Sequence, residues 1–135
     1  MRCEGEGKPV TFVLTPGQQH EVTVFEQLME NGAVKRPKCG RPRLLPKRIV
    51  ADKGYTSRDV RLYLRKRGVR MTIPHRSNER HGRKGPFDKE VYRQRNRVER
   101  LINRLKQFRR VATRYEKRGE NYRAFLTVAA ILLWL

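Results

Sequence analysis

Acid is scarce in this chain. Thirteen Asp and Glu face 33 Lys and Arg, giving a formal net charge of +20 and a pI of about 11.2. Such an imbalance implies a polyanionic partner, nucleic acid before membrane. Composition alone leaves open a small RNA-binding protein of ribosomal type. Cysteine is nearly absent. Cys3 and Cys39 form no C-x-x-C pair, so neither a zinc site nor a disulfide framework is encoded. His20, His75 and His81 show no ligand spacing with them. Long apolar runs are also missing. The longest, Ala124 to Leu135, falls short of the about 20 residues that span a bilayer. It reads as a buried core helix, with a partner-facing helix as the alternative. The start, Met-Arg-Cys-Glu-Gly-Glu-Gly, is too polar for a secretory leader, so a cytoplasmic protein is expected.

What is present is enough for one folded domain over 1–135. Apolar residues make up 37% of the chain and are clustered, which argues against disorder. Lys8 to Leu14 alternates and is rich in Val, Phe and Thr, so a strand is predicted there. Val22 to Glu30 has helical spacing and stops at Asn31-Gly32. A proline-rich basic loop covers 35–48. A short strand follows from Arg48 to Ala51. Thr56 or Ser57 caps a helix to about Lys66, with Val60, Tyr63 and Leu64 inward and Gly68 as its stop. Val69 to Ile73 is a further strand, and a second basic loop covers 75–86. Asp88 begins a long helix predicted to reach Tyr115, and Asn121 to Leu135 forms the last one. This alternation indicates an α/β fold with part of its sheet parallel.

The long helix carries the most informative pattern. Tyr92, Arg95, Glu99 and Lys106 follow the spacing Tyr-x2-Arg-x3-Glu-x6-Lys. On one continuous helix they fall within an arc of roughly 60°. Glu99 is the sole carboxylate from Val91 to Arg110, among eight Lys and Arg. Val98, Leu101, Ile102, Leu105 and Phe108 form a core-facing stripe, and the four polar residues lie beside it. The plainer alternative is an Arg95–Glu99 surface ion pair on a solvated basic face.

These four residues match the Tyr-Arg-Glu-Lys signature of bacterial insertion-sequence transposases with a DDE (Asp-Asp-Glu) active site. Ile49-Val-Ala-Asp52-Lys-Gly-Tyr55 resembles the strand end and turn that carry that family's second catalytic aspartate. The resemblance runs from about Lys8 to Leu135. It implies a ribonuclease-H-like fold, a mixed sheet with flanking helices and two helices at the carboxyl end. It further implies metal-dependent cleavage and strand transfer at insertion-sequence ends. Asp52 and Glu99 would be catalytic and would bind Mg2+ or Mn2+, since hard cations take oxygen donors. Two such ions can activate the attacking oxygen and stabilise the leaving one. Asp52 has a plainer alternative too, as a turn cap before Gly54. Arg95 and Lys106 would contact phosphates and Tyr92 the DNA backbone. Lys53 and the loop arginines Arg41 and Arg43 join this DNA-binding set, the Gly-Arg-Pro segment being narrow enough for a minor groove. Arg76 to Lys84 is a plausible phosphate-contact tract. Phe125 and Trp134 are read as core.

The chain departs from the family at one point. The first catalytic aspartate belongs to a strand upstream of Lys8 to Leu14. None of Glu4, Glu6, Glu21, Glu26 and Glu30 sits in an apolar strand that could replace it. The expectation is a fragment or downstream reading frame, inactive alone, needing an upstream-frame polypeptide and forming a homo-oligomer when complete. Its partners would be terminal inverted repeats and target DNA, in a nucleoid-associated cytoplasmic setting. The competing expectation is a non-catalytic basic DNA- or RNA-binding protein.

Overall fold

The computed structural model describes residues 1–34, 39–77 and 87–135. Of the two basic loops, 35–38 and 78–86 lie outside the described residues. The architecture is mixed α/β, and it divides into two compact units. One comprises Met1–Pro16 and Asn96–Leu135, the other Gly17–Arg95.

The unit Gly17–Arg95 is built on a strand–helix–strand crossover. β3 (Arg48–Val50) and β4 (Arg70–Thr72) pair in parallel, with Arg48 opposite Arg70 and Val50 opposite Thr72. Parallel neighbours require a crossover between them, which α2 (Arg58–Lys66) supplies. Ser57 caps α2, its hydroxyl accepting from the Val60 N–H at 3.1 Å. Past the helix the chain turns at Gly68, whose φ of +65° is a left-handed conformation that a side chain would strain. α1 (Phe25–Glu30) packs against α2. Phe25, Met29, Val60, Tyr63, Leu64, Val69 and Ile73 form the core. Within it the rings of Phe25 and Tyr63 meet edge to face at 6.1 Å. Tyr55 packs on the same core, and burial and its hydrogen bond to Glu21 push its phenol up from the usual value. α3 (Lys89–Arg93) closes the unit in sequence, its first turn capped by Asp88 through a 3.0 Å bond from the Val91 N–H.

The other unit pairs β1 (Arg2–Cys3) with β2 (Pro9–Thr11) in an antiparallel hairpin. Glu4 shapes its turn, its carboxylate accepting from the N–H groups of Glu6 and Lys8 at 2.8 Å each. Gly7 sits there at φ +86°, 3.6 Å from the Arg97 side chain where a Cβ would stand. The Arg97 guanidinium in turn donates to the Gly5 carbonyl. Three helices complete the unit, α4 (Asn96–Lys106), α5 (Arg109–Ala112) and α6 (Gly119–Leu132). Leu101, Leu105, Val111, Leu126 and Ala129 are its core, with Met1, Cys3, Phe12 and Phe108 packed against them.

Several expectations need correction. The long helix from Asp88 to Tyr115 is three helices, so the carboxyl end holds four helices where two were anticipated. The first break comes where Gln94 and Arg95 bond the carbonyls of Val91 and Tyr92, three residues back, closing tight turns instead of continuing the α ladder. The second comes at Phe108, which turns extended at φ −76°, ψ 108°. Neither break has a Pro or Gly to announce it. The expected strand Lys8 to Leu14 shrinks to Pro9–Thr11, and it pairs with β1, which was not foreseen. The described strands form two separate two-stranded sheets, one antiparallel and one parallel, in place of one mixed sheet. Finally, α6 is no buried core helix. Only Leu126 and Ala129 are buried, while Phe125, Val128, Ile131 and Leu132 are exposed. Phe125 and Trp134 are 37% and 44% exposed, though the Trp134 ring nitrogen donates to the Pro9 carbonyl at 2.7 Å. Among the described residues no helix is long and apolar enough to cross a membrane.

Candidate active site

Asp52 stands just beyond β3, at the carboxyl end of a parallel strand. Ala51 extends the pairing by donating to the Thr72 carbonyl at 3.3 Å, so the chain is held to β4 until the residue before Asp52. Asp52 then opens a single 3-10 turn over Lys53–Tyr55, and its Oδ1 accepts from the Lys53 N–H at 2.6 Å. The capping role weighed for this residue is therefore real. It does not compete with a ligand role, because the side chain is exposed and a carboxylate has several acceptor sites. Parallel α/β folds place their ligands at this end of the strands.

One residue near Asp52 was missed by sequence reasoning. The Arg61 guanidinium donates to Thr56 Oγ1 at 2.8 Å and to the carbonyls of Ile73 and Pro74 at 3.2 and 3.5 Å. Thr56 ends the turn that Asp52 opens, and Ile73 follows β4. Arg61 thus ties that turn to the end of the neighbouring strand. Its only trace in the sequence is a charged residue directly after the inward-facing Val60.

The signature residues divide between the units. In the unit Gly17–Arg95 the structure brings Tyr92 and Arg95 together, with the guanidinium 5.7 Å from the ring centroid. Phe87 packs on the same tyrosine at 5.2 Å. Stacking on an aromatic face restricts an arginine side chain. In the other unit Glu99 lies in the first turn of α4 and Lys106 in its last. Seven residues apart, they share one face of that helix. Both are exposed. No single continuous helix carries all four, because α3 ends at Arg93 and α4 begins at Asn96.

Lys53, in the turn after Asp52, and the loop arginines Arg41 and Arg43 are exposed. Arg43 is anchored through its backbone, exchanging hydrogen bonds with Val34 at 2.9 Å each way. Arg43 lies inside the segment 35–48 read as a loop, and Val34 directly before it.

The family model described as transposase DDE domain matches residues 2–134, nearly the whole chain. The chain belongs to the DDE transposase family. A Burkholderia cepacia protein named as transposase for insertion sequence element IS402 is 31% identical over 130 residues. That match covers 96% of this chain and 58% of the relative. A Brucella ovis protein named as transposase for insertion sequence element IS6501 is 26% identical over 87 residues, covering 64% of this chain and 66% of the relative. This transposase chain thus spans about three fifths to two thirds of the length of these curated relatives. No solved structure matches it.

DDE transposases use divalent metal ions, so the donor set can be tested against one. Asp52 and Glu99 offer hard oxygen donors of the right type. Asp52 lies in one unit and Glu99 in the other, and both are exposed. Among the described residues no group of three or more His, Cys, Asp or Glu is gathered that could hold a metal. Either carboxylate would need further oxygen donors to hold such an ion.

Proposed function

We propose that this chain is part of a DDE transposase catalytic domain that acts on DNA at insertion-sequence ends. The observation that carries the reading is the position of Asp52. It follows a parallel strand in a strand–helix–strand unit, in a chain that also bears the spaced signature Tyr92, Arg95, Glu99 and Lys106. That order is what the family resemblance calls for. In this reading residues 1–135 are one catalytic-type domain of the ribonuclease-H-like class.

Asp52 and Glu99 are the catalytic carboxylates. With further oxygen donors, from a third carboxylate or from the phosphates of bound DNA, they would hold Mg2+ or Mn2+. Such an ion supplies Lewis-acid chemistry for phosphodiester cleavage and strand transfer. The chain's other residues bind and orient the nucleic acid. Arg95, stacked on Tyr92, presents a planar donor fork to a phosphate. Lys106 adds a point charge on the helix face that carries Glu99. Lys53, Arg41 and Arg43 contribute backbone contacts. The partners are terminal inverted repeats and target DNA, and the active form is a homo-oligomer.

The test measures two quantities. Fluorescence anisotropy of labelled duplex DNA, in competition with folded RNA, should show preference for the duplex. Preference for RNA would turn the reading to an RNA-binding structural protein. Mn2+ occupancy, followed by water-proton relaxation on the DNA complex, should fall in Asp52→Asn and in Glu99→Gln. In metal-free buffer duplex affinity should not weaken in either, since removing an anion does not reduce attraction to a polyanion. Equal Mn2+ behaviour in wild type and both variants would remove the carboxylate assignment.

A further inference from the structure

We infer that Arg110 and Arg114, at the α5–α6 end of their unit, form a phosphate-binding surface for the backbone of duplex DNA, separate from the signature residues. The inference rests on the DNA-acting reading and deepens it. The surroundings are strongly basic. From Arg109 to Arg123 the chain holds Arg109, Arg110, Arg114, Lys117, Arg118 and Arg123 against Glu116 and Glu120. Charge alone would indicate only a solvated face. The geometry indicates more.

Both guanidiniums lie over aromatic rings of α6. Arg110 is 4.7 Å from the centroid of Phe125, and Arg114 is 5.6 Å from that of Tyr122. The rings are themselves held: Tyr122 donates its hydroxyl to the Val111 carbonyl at 3.1 Å, which ties α6 to α5. Glu116 fixes the two arginines from the turn between the helices. Its Oε1 accepts from Arg110 Nη1 at 3.2 Å, and its backbone carbonyl accepts from Arg114 Nε at 3.2 Å. The Glu116 side chain is only 8% exposed, while that of Arg110 is 62% exposed. Glu116 Oε2 is buried with no hydrogen-bond partner among the described residues.

A buried carboxylate with an orphan oxygen is a costly way to stabilise a surface. An exposed ion pair would return little for it. The arrangement makes sense as orientation. A free arginine side chain gives up rotamer freedom when a ligand fixes it. Here ring faces and Glu116 have already restricted both side chains, and each guanidinium retains further in-plane donors from its five. Two planar forks held in advance suit phosphodiester oxygens. The sequence hint was present in the spacings: arginines four apart at 110 and 114, aromatics three apart at 122 and 125.

The test is the salt dependence of duplex binding by the full chain. Each neutralised phosphate contributes about 0.9 to the slope of log K against log salt. The pair Arg110→Gln/Arg114→Gln keeps stems that can rest on the rings and should lower the slope by nearly two. The pair Arg110→Lys/Arg114→Lys should keep the slope and lose affinity, because charge survives and the stacked fork does not. Arg58→Gln/Arg65→Gln, on exposed α2 positions, removes the same charge and should change the slope less. An unchanged slope in the first pair, or an equal fall in the control pair, overturns the inference while leaving DNA binding intact. Absence of duplex binding by the wild type would instead bring down the functional reading, and this one with it.

Discussion

Raising salt from 50 to 200 mM should weaken duplex binding by about 10³- to 10⁵-fold, the loss associated with roughly six to ten neutralised phosphates. The chain has the cations for it, with 33 Lys and Arg and a net charge of +20. They are also spread along the chain. Arg41, Arg43 and Lys53 are exposed in one unit, and Lys106, Arg110 and Arg114 in the other. A mechanism based on counterion release makes the loss linear in log–log form. Titrations at four or more salt concentrations would reveal it. A flat dependence would mean that the excess charge is not what holds the ligand, and it would remove the main physical support for a nucleic-acid partner.

The second large effect is on stability. Leu64→Ala and Leu101→Ala should each cost about 3 kcal/mol, within the range of roughly 2–5 kcal/mol for emptied leucine sites. Leu64 is 0% exposed and Leu101 1%. Leu64 lies in α2 among Phe25, Met29, Val60 and Val69, and Leu101 in α4 among Leu105, Val111 and Leu126. Each therefore reports on the core of its own unit. Urea unfolding with an unchanged m-value would measure the cost. A loss below about 1 kcal/mol at either position would show that its surroundings collapse onto the gap or were never closely packed. Small chains tolerate such losses poorly, since total stability is only about 5–15 kcal/mol.

Local chemistry made part of this structure readable in the sequence. Ser57 and Gly68 bracket α2 as their capping preferences require. Val60, Tyr63 and Leu64 follow the helical period and are buried. Asp88 does cap a helix, and Asp52 does follow a strand. These features depend on residues within one turn of each other. The parts that were not legible depend on tertiary packing or on turns without a marker. The break at Gln94–Arg95 falls in good helix-forming sequence, and i−3 bonding there leaves no compositional sign. β1 is two residues long and exists through its partner. The exposed face of α6 carries the same apolar residues as a buried helix would. Arg61 and Glu116 were invisible because their partners lie on other elements or across a turn.

The two cysteines, far apart in burial, give the molecule a built-in reporter. Cys39 is exposed, close in sequence to Arg41 and Arg43. Cys3 is half-buried, and burial, with the charge of Glu4 adding to it, raises its thiol from the ordinary value. A maleimide dye at neutral pH should therefore label Cys39 well before Cys3, since the thiolate is the reactive form. Peptide mapping of the labelled chain would check the selectivity. The fluorescence of that single dye would then follow the arginine loop as duplex is added, without any engineered substitution.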